Sequence, residues 1–210
     1  MDRQDGWGLV LAVKLLPLAK SRLGPLDQVT RAELALAFAG DALAAVLACP
    51  VVSRTVLVTS DRRAAVALAD DAVLVIEDPE AGLDGAFTHG AAQLPPGLPT
   101  ASLTADLPCL RPGDLAHALG QVLERGFVAD TAGTGTTLLA VGAGQTLCPA
   151  YGPGSAARHE ASGAVRLGAP PGLARDVDTR EDLRDALRLG VGPRTAAVVA
   201  ALAAARPTAG

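Results

Sequence analysis

The stretch Ser102–Leu110, which reads SLTADLPCL, decides the fold that we expect for this chain. Its Leu, Thr and Ala residues are typical of a short buried strand, and one carboxylate, Asp106, follows them. Pro108 cannot donate a hydrogen bond to a sheet ladder, so the strand must end near that carboxylate. Ligands bind outside the carboxyl ends of strands in open α/β sheets. We therefore expect Asp106 to face a ligand crevice, the alternative being an aspartate that only stabilises a turn.

Similar apolar runs alternate with helical patterns along the rest of the chain, which predicts βαβ units and a parallel sheet. We predict an α/β fold with three parallel neighbours in one sheet: Leu9–Val13, Val56–Thr59 and Leu103–Ala105. Pro112 is expected to open a helix that Gly126 ends. Internal repeats and linkers are absent, so residues 1–210 are predicted to form a single domain, with a covering helix at about 193–206.

The composition excludes several classes of protein. A net charge of −4 and five aromatic residues argue against a nucleic-acid-binding protein, which needs a basic face and stacking rings. The three cysteines stand far apart without CxxC spacing, so we expect small buried side chains in a reducing compartment. The longest apolar tail, residues 196–205, is half of the ~20 residues that a membrane span requires. The sequence therefore predicts a cytoplasmic protein without a membrane segment.

A basic loop, residues 14–24, follows the first predicted strand and carries Lys14, Lys20 and Arg22. Three cations at the crevice end of a strand would form an anion site, and the alternative is a solvated loop. No Walker-type glycine loop is present, which excludes a P-loop NTPase.

Two glycine-rich stretches later in the chain are also candidates for anion binding. Residues 130–139 (DTAGTGTTLL) combine close backbone approach with threonine hydroxyls, although a flexible hairpin turn explains them equally well. Residues 151–159 (YGPGSAARH) are typical of a helix start, where free N–H groups accept anions. His159 alone is more readily explained as structural than as catalytic.

An acidic segment, Asp176-Val177-Asp178-Thr179, precedes a predicted helix whose Thr179 and Asp182 fit a capping box. One acid here and Asp106 could share a divalent cation, because Mg²⁺ takes one or two carboxylates plus phosphate oxygens. The spacing leaves open whether Asp176 or Asp178 is the second ligand.

Together these motifs resemble one family, the 2-phospho-L-lactate guanylyltransferases and their actinobacterial form, the phosphoenolpyruvate guanylyltransferases of deazaflavin coenzyme (factor 420) biosynthesis. The resemblance covers most of the chain in the family's order. It rests on Val13-Lys14, Ala19–Leu23, Thr104–Pro108, Gly135–Leu138, Gly152–Ser155 with His159, and Asp176–Thr179. One departure is Asp84, where the family usually carries Asn; an aspartate accepts hydrogen bonds from a nucleotide but donates none.

The resemblance implies a Rossmann-like nucleotidyltransferase sandwich with a mostly parallel, mixed central sheet. It also implies GTP and phosphoenolpyruvate as substrates, Mg²⁺ as cofactor, and a downstream transferase that accepts the activated product. The implied roles are Mg²⁺ binding by Asp106 and Asp178, nucleotide binding by Asp84 and the basic loop, and phosphoenolpyruvate binding by Thr137, Gly152 and Ser155. Lys14, Lys20 and Arg22 of the loop would act in catalysis with Asp106.

Three alternatives remain at this point. The acceptor could be 2-phospho-L-lactate, because no residue visibly decides between a planar and a tetrahedral carbon. A molybdenum-cofactor-type nucleotidyltransferase is a second alternative, but it would open with a glycine-rich phosphate loop. A non-catalytic GTP-sensing protein is the third, and the intact acids at Asp106 and Asp178 argue against it.

Overall fold

Seven strands form one sheet, in the order β3-β2-β1-β4-β6-β5-β7, in a computed structural model that describes residues 6–16, 20, 22–24 and 26–204. The strands are β1 Trp7–Ala12, β2 Val52–Val58, β3 Val73–Ile76, β4 Thr100–Thr104, β5 Arg125–Ala129, β6 Thr136–Val141 and β7 Val165–Arg166. The helices are α1 Gln28–Leu47, α2 Arg62–Ala67, α3 Gly82–Ala91, α4 Pro112–Leu119, α5 Ser155–Ala161, α6 Pro171–Ala174, α7 Arg180–Leu189 and α8 Pro193–Ala204.

The centre of the sheet is parallel, as the sequence predicts. Strand β1 lies between β2 and β4 and runs parallel to both, so the three predicted neighbours are confirmed. Strand β6 runs antiparallel to β4 and to β5, which makes the sheet mixed. The first residues of β6 therefore lie at the same edge of the sheet as the carboxyl ends of β1 and β4.

Alternating residues of the central strands serve two hydrophobic layers. Leu9 and Leu11 face a cluster that includes buried residues of α1 and α4, whereas Val10 and Ala12 face Phe87 of α3. This two-sided burial explains why the strands read as continuous apolar runs. A third cluster joins α1, α7 and α8 through Phe38 and other side chains.

Two local predictions are wrong. Helix α4 ends at Leu119 with Gly120 as its C-cap, and Gly126 lies inside β5, where its small size accommodates the Leu167 side chain. Cys148 is exposed, whereas Cys49 and Cys109 are buried as expected. In the described part of the chain no single helix is long and apolar enough to span a membrane, although α7 and α8 together, bent by 119°, would meet that length and composition.

Candidate active site

Lys20 lies between two carboxylates at the carboxyl end of β4. Its Nζ donates to Asp106 Oδ2 at 2.6 Å and to Asp178 Oδ1 at 2.8 Å. The Lys20 side chain is only 10% exposed, while that of Asp178 is half exposed. The other oxygen of Asp106, Oδ1, is buried and has no hydrogen-bond partner among the described residues. Lys20 is thus held by two acids that are distant from each other in the chain, and its Nζ uses only one of the two oxygens of Asp106.

Backbone contacts hold the two acids beside each other. The N–H of Val177 donates to the carbonyl of Asp106 at 3.1 Å, which attaches the acidic segment to the end of β4. Thr179 caps α7 and forms the predicted capping box with Asp182, so the residue after Asp178 is fixed as well. The segment is not a strand, so the strand geometry that would point Asp176 and Asp178 to the same face does not apply.

Electrostatics in this cluster favour a bound cation. Burial alone would raise the pKa of Asp106, but the charge and hydrogen bond of Lys20 outweigh it and hold that pKa below its usual value. Burial likewise opposes the charge of Lys20, yet Asp106 and Asp178 raise its pKa. Burial, followed by the neighbouring carboxylates, raises the pKa of Asp176 to about 7. Lys20 lowers the pKa of Asp176, but its effect is smaller than those of burial and of the carboxylates.

A cavity of about 310 Å³ opens over Lys20 and the two acids. Its polar lining includes Lys14, Lys20, Asp106 and Asp178, so the structure brings four of the predicted site residues together. Its apolar lining includes the end of β1 and the residues just beyond it, one residue of α1 and one of α3: Ala12, Val13, Leu16, Ala35 and Leu83. Arg22 is exposed and is not part of this lining. The cavity therefore combines two lysines and two carboxylates with an apolar wall.

The remaining predicted residues lie on the neighbouring part of the same sheet edge, outside the lining of this cavity. Thr137 is buried, and its hydroxyl donates to the carbonyl of Leu173 at 2.7 Å. Ser155 is also buried and donates to Thr136 Oγ1 at 2.9 Å. The hydroxyls of Thr137 and Ser155 therefore have partners within the protein, and a role toward an acceptor stays a prediction.

Gly152 and Gly154 shape the turn before α5, with φ angles of 105° and 73° that disfavour any side chain. Asp84 lies in the first turn of α3, whose N-cap is Ala81. It does not cap the helix. Instead, Asp84 Oδ1 accepts from the N–H of Tyr151 at 2.7 Å and so ties α3 to the turn before α5.

Sequence reasoning missed a buried polar network behind that turn. His159 is fully buried; its Nε2 accepts from the N–H of Ala150 at 3.0 Å, so its Nδ1 carries the proton toward Thr136 Oγ1 at 2.9 Å. Tyr151 packs its ring against that of His159 and places its hydroxyl 2.9 Å from Ser102 Oγ in β4. No local pattern marks these contacts, because they join residues from three different elements.

We expect this histidine to make the fold sensitive to acid. Burial, with help from Arg125 and Arg158, lowers the pKa of His159 to about 4. An unfolded histidine binds its proton near pH ~6.5, so between those values the unfolded state binds more protons and stability falls as the pH is lowered. Between pH 7 and pH 4, urea unfolding should show a loss of stability to which His159 contributes roughly 3 kcal/mol, and the loss should be smaller by that amount in His159→Gln. The exposed His117→Gln serves as control, and an equal acid loss in all three proteins would contradict the prediction.

Comparison with known proteins places the chain in a family. No protein-family model matches it. It is 53% identical over 205 residues to a phosphoenolpyruvate guanylyltransferase of Streptomyces coelicolor, with 93% of this chain and 97% of the relative covered. It is 46% identical over 214 residues to one of Thermomonospora curvata, with 98% and 94% covered. The chain belongs to the phosphoenolpyruvate guanylyltransferase family.

Solved structures of distant proteins share the fold of this guanylyltransferase family member. A protein described as a nucleotide-diphospho-sugar transferase, from Desulfovibrio desulfuricans G20, superposes with a TM-score of 0.70 at 16% identity and covers 97% of this chain and 96% of its own. A nucleotidyl transferase from a Methanothermobacter species gives a TM-score of 0.58 at 17% identity, with 88% and 98% covered. The predicted Rossmann-like nucleotidyltransferase sandwich is confirmed.

Proposed function

We propose that this chain transfers GMP from GTP to phosphoenolpyruvate, giving enolpyruvyl-diphospho-guanosine and pyrophosphate. The observation that carries the proposal is the bridge of Lys20 between Asp106 and Asp178 in a cavity whose other cation is Lys14. Paired carboxylates beside lysines suit a reaction in which charged phosphate groups must be brought together and neutralised. Membership of the guanylyltransferase family supports the choice of substrates. A place in deazaflavin coenzyme biosynthesis, followed by a downstream transferase, stays a prediction.

In the proposed reaction an oxygen of the phosphoenolpyruvate phosphate attacks the α-phosphorus of GTP. The new P–O bond forms as the bond to the β-phosphate oxygen breaks, and pyrophosphate leaves. A phosphate monoester has its second pKa near ~6, so the nucleophile is already ionised at neutral pH and requires no general base. The protein's contribution is then to position two anions and to offset their repulsion.

The residues present fit a divalent cation. Within the described residues, no group of three or more His, Cys, Asp or Glu side chains is arranged to hold a metal ion by itself. Mg²⁺, however, commonly uses one or two carboxylates and takes its other ligands from phosphates and water. Asp106 and Asp178 would hold it, and Asp106 Oδ1, which has no hydrogen-bond partner among the described residues, is proposed as one of its oxygen ligands. When bound, Mg²⁺ would supply positive charge to the phosphate oxygens.

Each protein group then has a stated task. Lys14 and Lys20, at the cavity, would bind the triphosphate, with Arg22 joining from the exposed part of the basic loop. The apolar wall around Leu83 would accept the nucleoside. Asp84, whose carboxylate is engaged by Tyr151 N–H, is proposed to contribute to nucleotide binding through its remaining oxygen.

The acceptor is proposed to bind at Thr137, Gly152 and Ser155. Support comes from their placement: β6 pairs Leu138 with Leu103 of β4, and α5 is joined to the start of β6 by the bond from Ala156 N to Thr134 O. These residues therefore lie at the same sheet edge as Asp106, where a phosphorylated acid would have to stand to reach the α-phosphorus.

A substrate matrix tests the proposed function. Purified protein with Mg²⁺ is given each of GTP, ATP, CTP and UTP against phosphoenolpyruvate, 2-phospho-L-lactate or neither, and pyrophosphate is measured. We expect release only with an acceptor, and fastest with GTP and phosphoenolpyruvate. Faster release with phospholactate would support the alternative acceptor. Tight GTP binding without turnover would instead indicate a GTP-sensing protein.

The proposed phosphoenolpyruvate site is tested by removing the hydroxyl groups of Thr137 and Ser155. If the two hydroxyls exchange their internal acceptors, Leu173 O and Thr136 Oγ1, for the bound acid, Thr137→Val and Ser155→Ala should raise the KM for phosphoenolpyruvate about tenfold and change the KM for GTP far less. Ser162→Ala, at the other end of α5 and exposed, is the matched control. Equal effects on both KM values would show that these hydroxyls only support the fold.

A further inference from the structure

Asp61 follows strand β2 and has a separate partner for each carboxylate oxygen. Oδ1 accepts from the N–H of Ala64 at 3.0 Å and thereby caps helix α2. Oδ2 accepts from the N–H of Leu16 at 2.9 Å, a residue 45 positions earlier in the chain. Asp61 is itself buried, so both bonds are shielded from water.

The second bond is more than helix capping requires. Serine, threonine and asparagine cap helices about as well as aspartate, and burying a carboxylate is costly unless each oxygen is hydrogen-bonded. A carboxylate at this position is therefore best explained by the second hydrogen bond, the one that it accepts from the N–H of Leu16. The Leu16 side chain reinforces that contact, because it is buried in the same hydrophobic cluster as Ala64.

Leu16 is the point at which the basic loop is attached to the sheet. The bond from Val13 N to Val58 O is the last described backbone pairing of β1 with β2, and Leu16 N is the next described amide to be held across that boundary. Lys14 lies two residues before Leu16 and Lys20 four residues after it, and all three line the cavity.

We propose that Asp61 is a positioning residue that holds the basic loop, and with it Lys14 and Lys20, in the geometry needed to bind the triphosphate. The role in GTP binding rests on the proposed function. The attachment of the loop through Leu16 is independent of it. Asp61 touches no substrate; it acts through the backbone of Leu16.

Two substitutions separate this role from capping. Asp61→Ser retains a good N-cap for α2, but its short side chain does not reach Leu16. Asp61→Asn retains one oxygen for Ala64 and turns an N–H₂ group toward the N–H of Leu16, so two donors meet. Asp27→Ser is the matched control, because Asp27 caps α1 and both its oxygens bind Thr30 of the same helix.

The rate of trypsin cleavage within the basic loop reports how firmly the loop is held, and it does not depend on enzymatic activity. The loop contains cleavable bonds after Lys14, Lys20 and Arg22, whereas those after Arg54 and Arg125 lie in strands and report on general unfolding. We expect both Asp61 variants, folded by circular dichroism, to be cut within the loop at least about fivefold faster than the wild type, with strand cleavage unchanged. Unchanged loop cleavage, or an equal increase at the strand sites, would overturn the proposal.

Kinetics then test the consequence for the ligand. Loss of a hydrogen bond to a charged group should lower kcat/KM for GTP about 10- to 100-fold, while the KM for phosphoenolpyruvate stays within about threefold. Equal losses for both substrates would argue against positioning of the triphosphate loop. If the wild type releases no pyrophosphate from GTP and phosphoenolpyruvate, the proposed function fails, whereas the trypsin result still decides whether Asp61 holds the loop.

Discussion

Asp106→Asn is expected to lower kcat about a hundred- to a thousandfold while the protein remains folded. Asp106 holds Lys20 through Oδ2, and its Oδ1 has no partner among the described residues, so a single substitution would remove both the proposed metal ligand and the charge that orients a lysine. Removing one preorganised electrostatic contact in an active site commonly has an effect of this size. Asp178→Asn should have a smaller effect, because its side chain is half exposed and water can replace part of its contribution.

Single-turnover release of pyrophosphate at several Mg²⁺ concentrations measures the loss. Far-UV circular dichroism and a cooperative thermal transition establish that the variants are folded. Asp71→Asn is the control, since Asp71 is an exposed turn residue before β3. Near-normal rates for both Asp106→Asn and Asp178→Asn at low Mg²⁺ would show that the metal site has been assigned to the wrong acids.

Lys20→Met is expected to change two measurements in opposite directions. The Lys20 ammonium lies between the same carboxylates that are proposed to bind Mg²⁺, so the lysine and the metal compete in the protein without nucleotide. Removing the ammonium should tighten Mn²⁺ binding to the free protein about tenfold. The same substitution removes a cation from the triphosphate and should lower kcat/KM for GTP about a hundredfold.

Isothermal titration with Mn²⁺ measures the first change and pyrophosphate release the second. Lys14→Met is the matched control, because Lys14 lines the same cavity but makes no ion pair among the described residues. It should weaken GTP binding and leave Mn²⁺ affinity unchanged. Equal Mn²⁺ affinity in the wild type and Lys20→Met would show that lysine and metal do not share a site.

Local patterns sufficed for the centre of the fold. The strands β1, β2 and β4 are buried on both faces, so their sequences are nearly continuous apolar runs. Their parallel arrangement follows from the helices between them. Pro108 places Asp106 just beyond its strand for the same local reason. The capping box at Thr179 also depends only on residues three positions apart.

Other features had no local signal. The predicted end of α4 at Gly126 is wrong because the helix ends at Leu119 with Gly120 as its C-cap, and packing against Leu167 shows why Gly126 belongs to β5. The antiparallel pairing of β5 with β6 places the threonine-rich stretch before Leu138 at the turn of a hairpin, while its role toward an anion stays a prediction. The internal partners of Thr137 and Ser155 likewise come from distant segments.

The sequence by itself determined the central parallel strands, the acid at the end of β4 and the family to which the chain belongs. These depend on residue type, period and short spacings, which are visible in one dimension. Only the tertiary structure decided that Lys20 bridges Asp106 and Asp178, that Asp61 holds Leu16, and that His159 is buried and neutral. Each of these is set by hydrogen bonds and burial between residues brought together by the sheet, and the energy of such contacts depends on distance in space rather than along the chain.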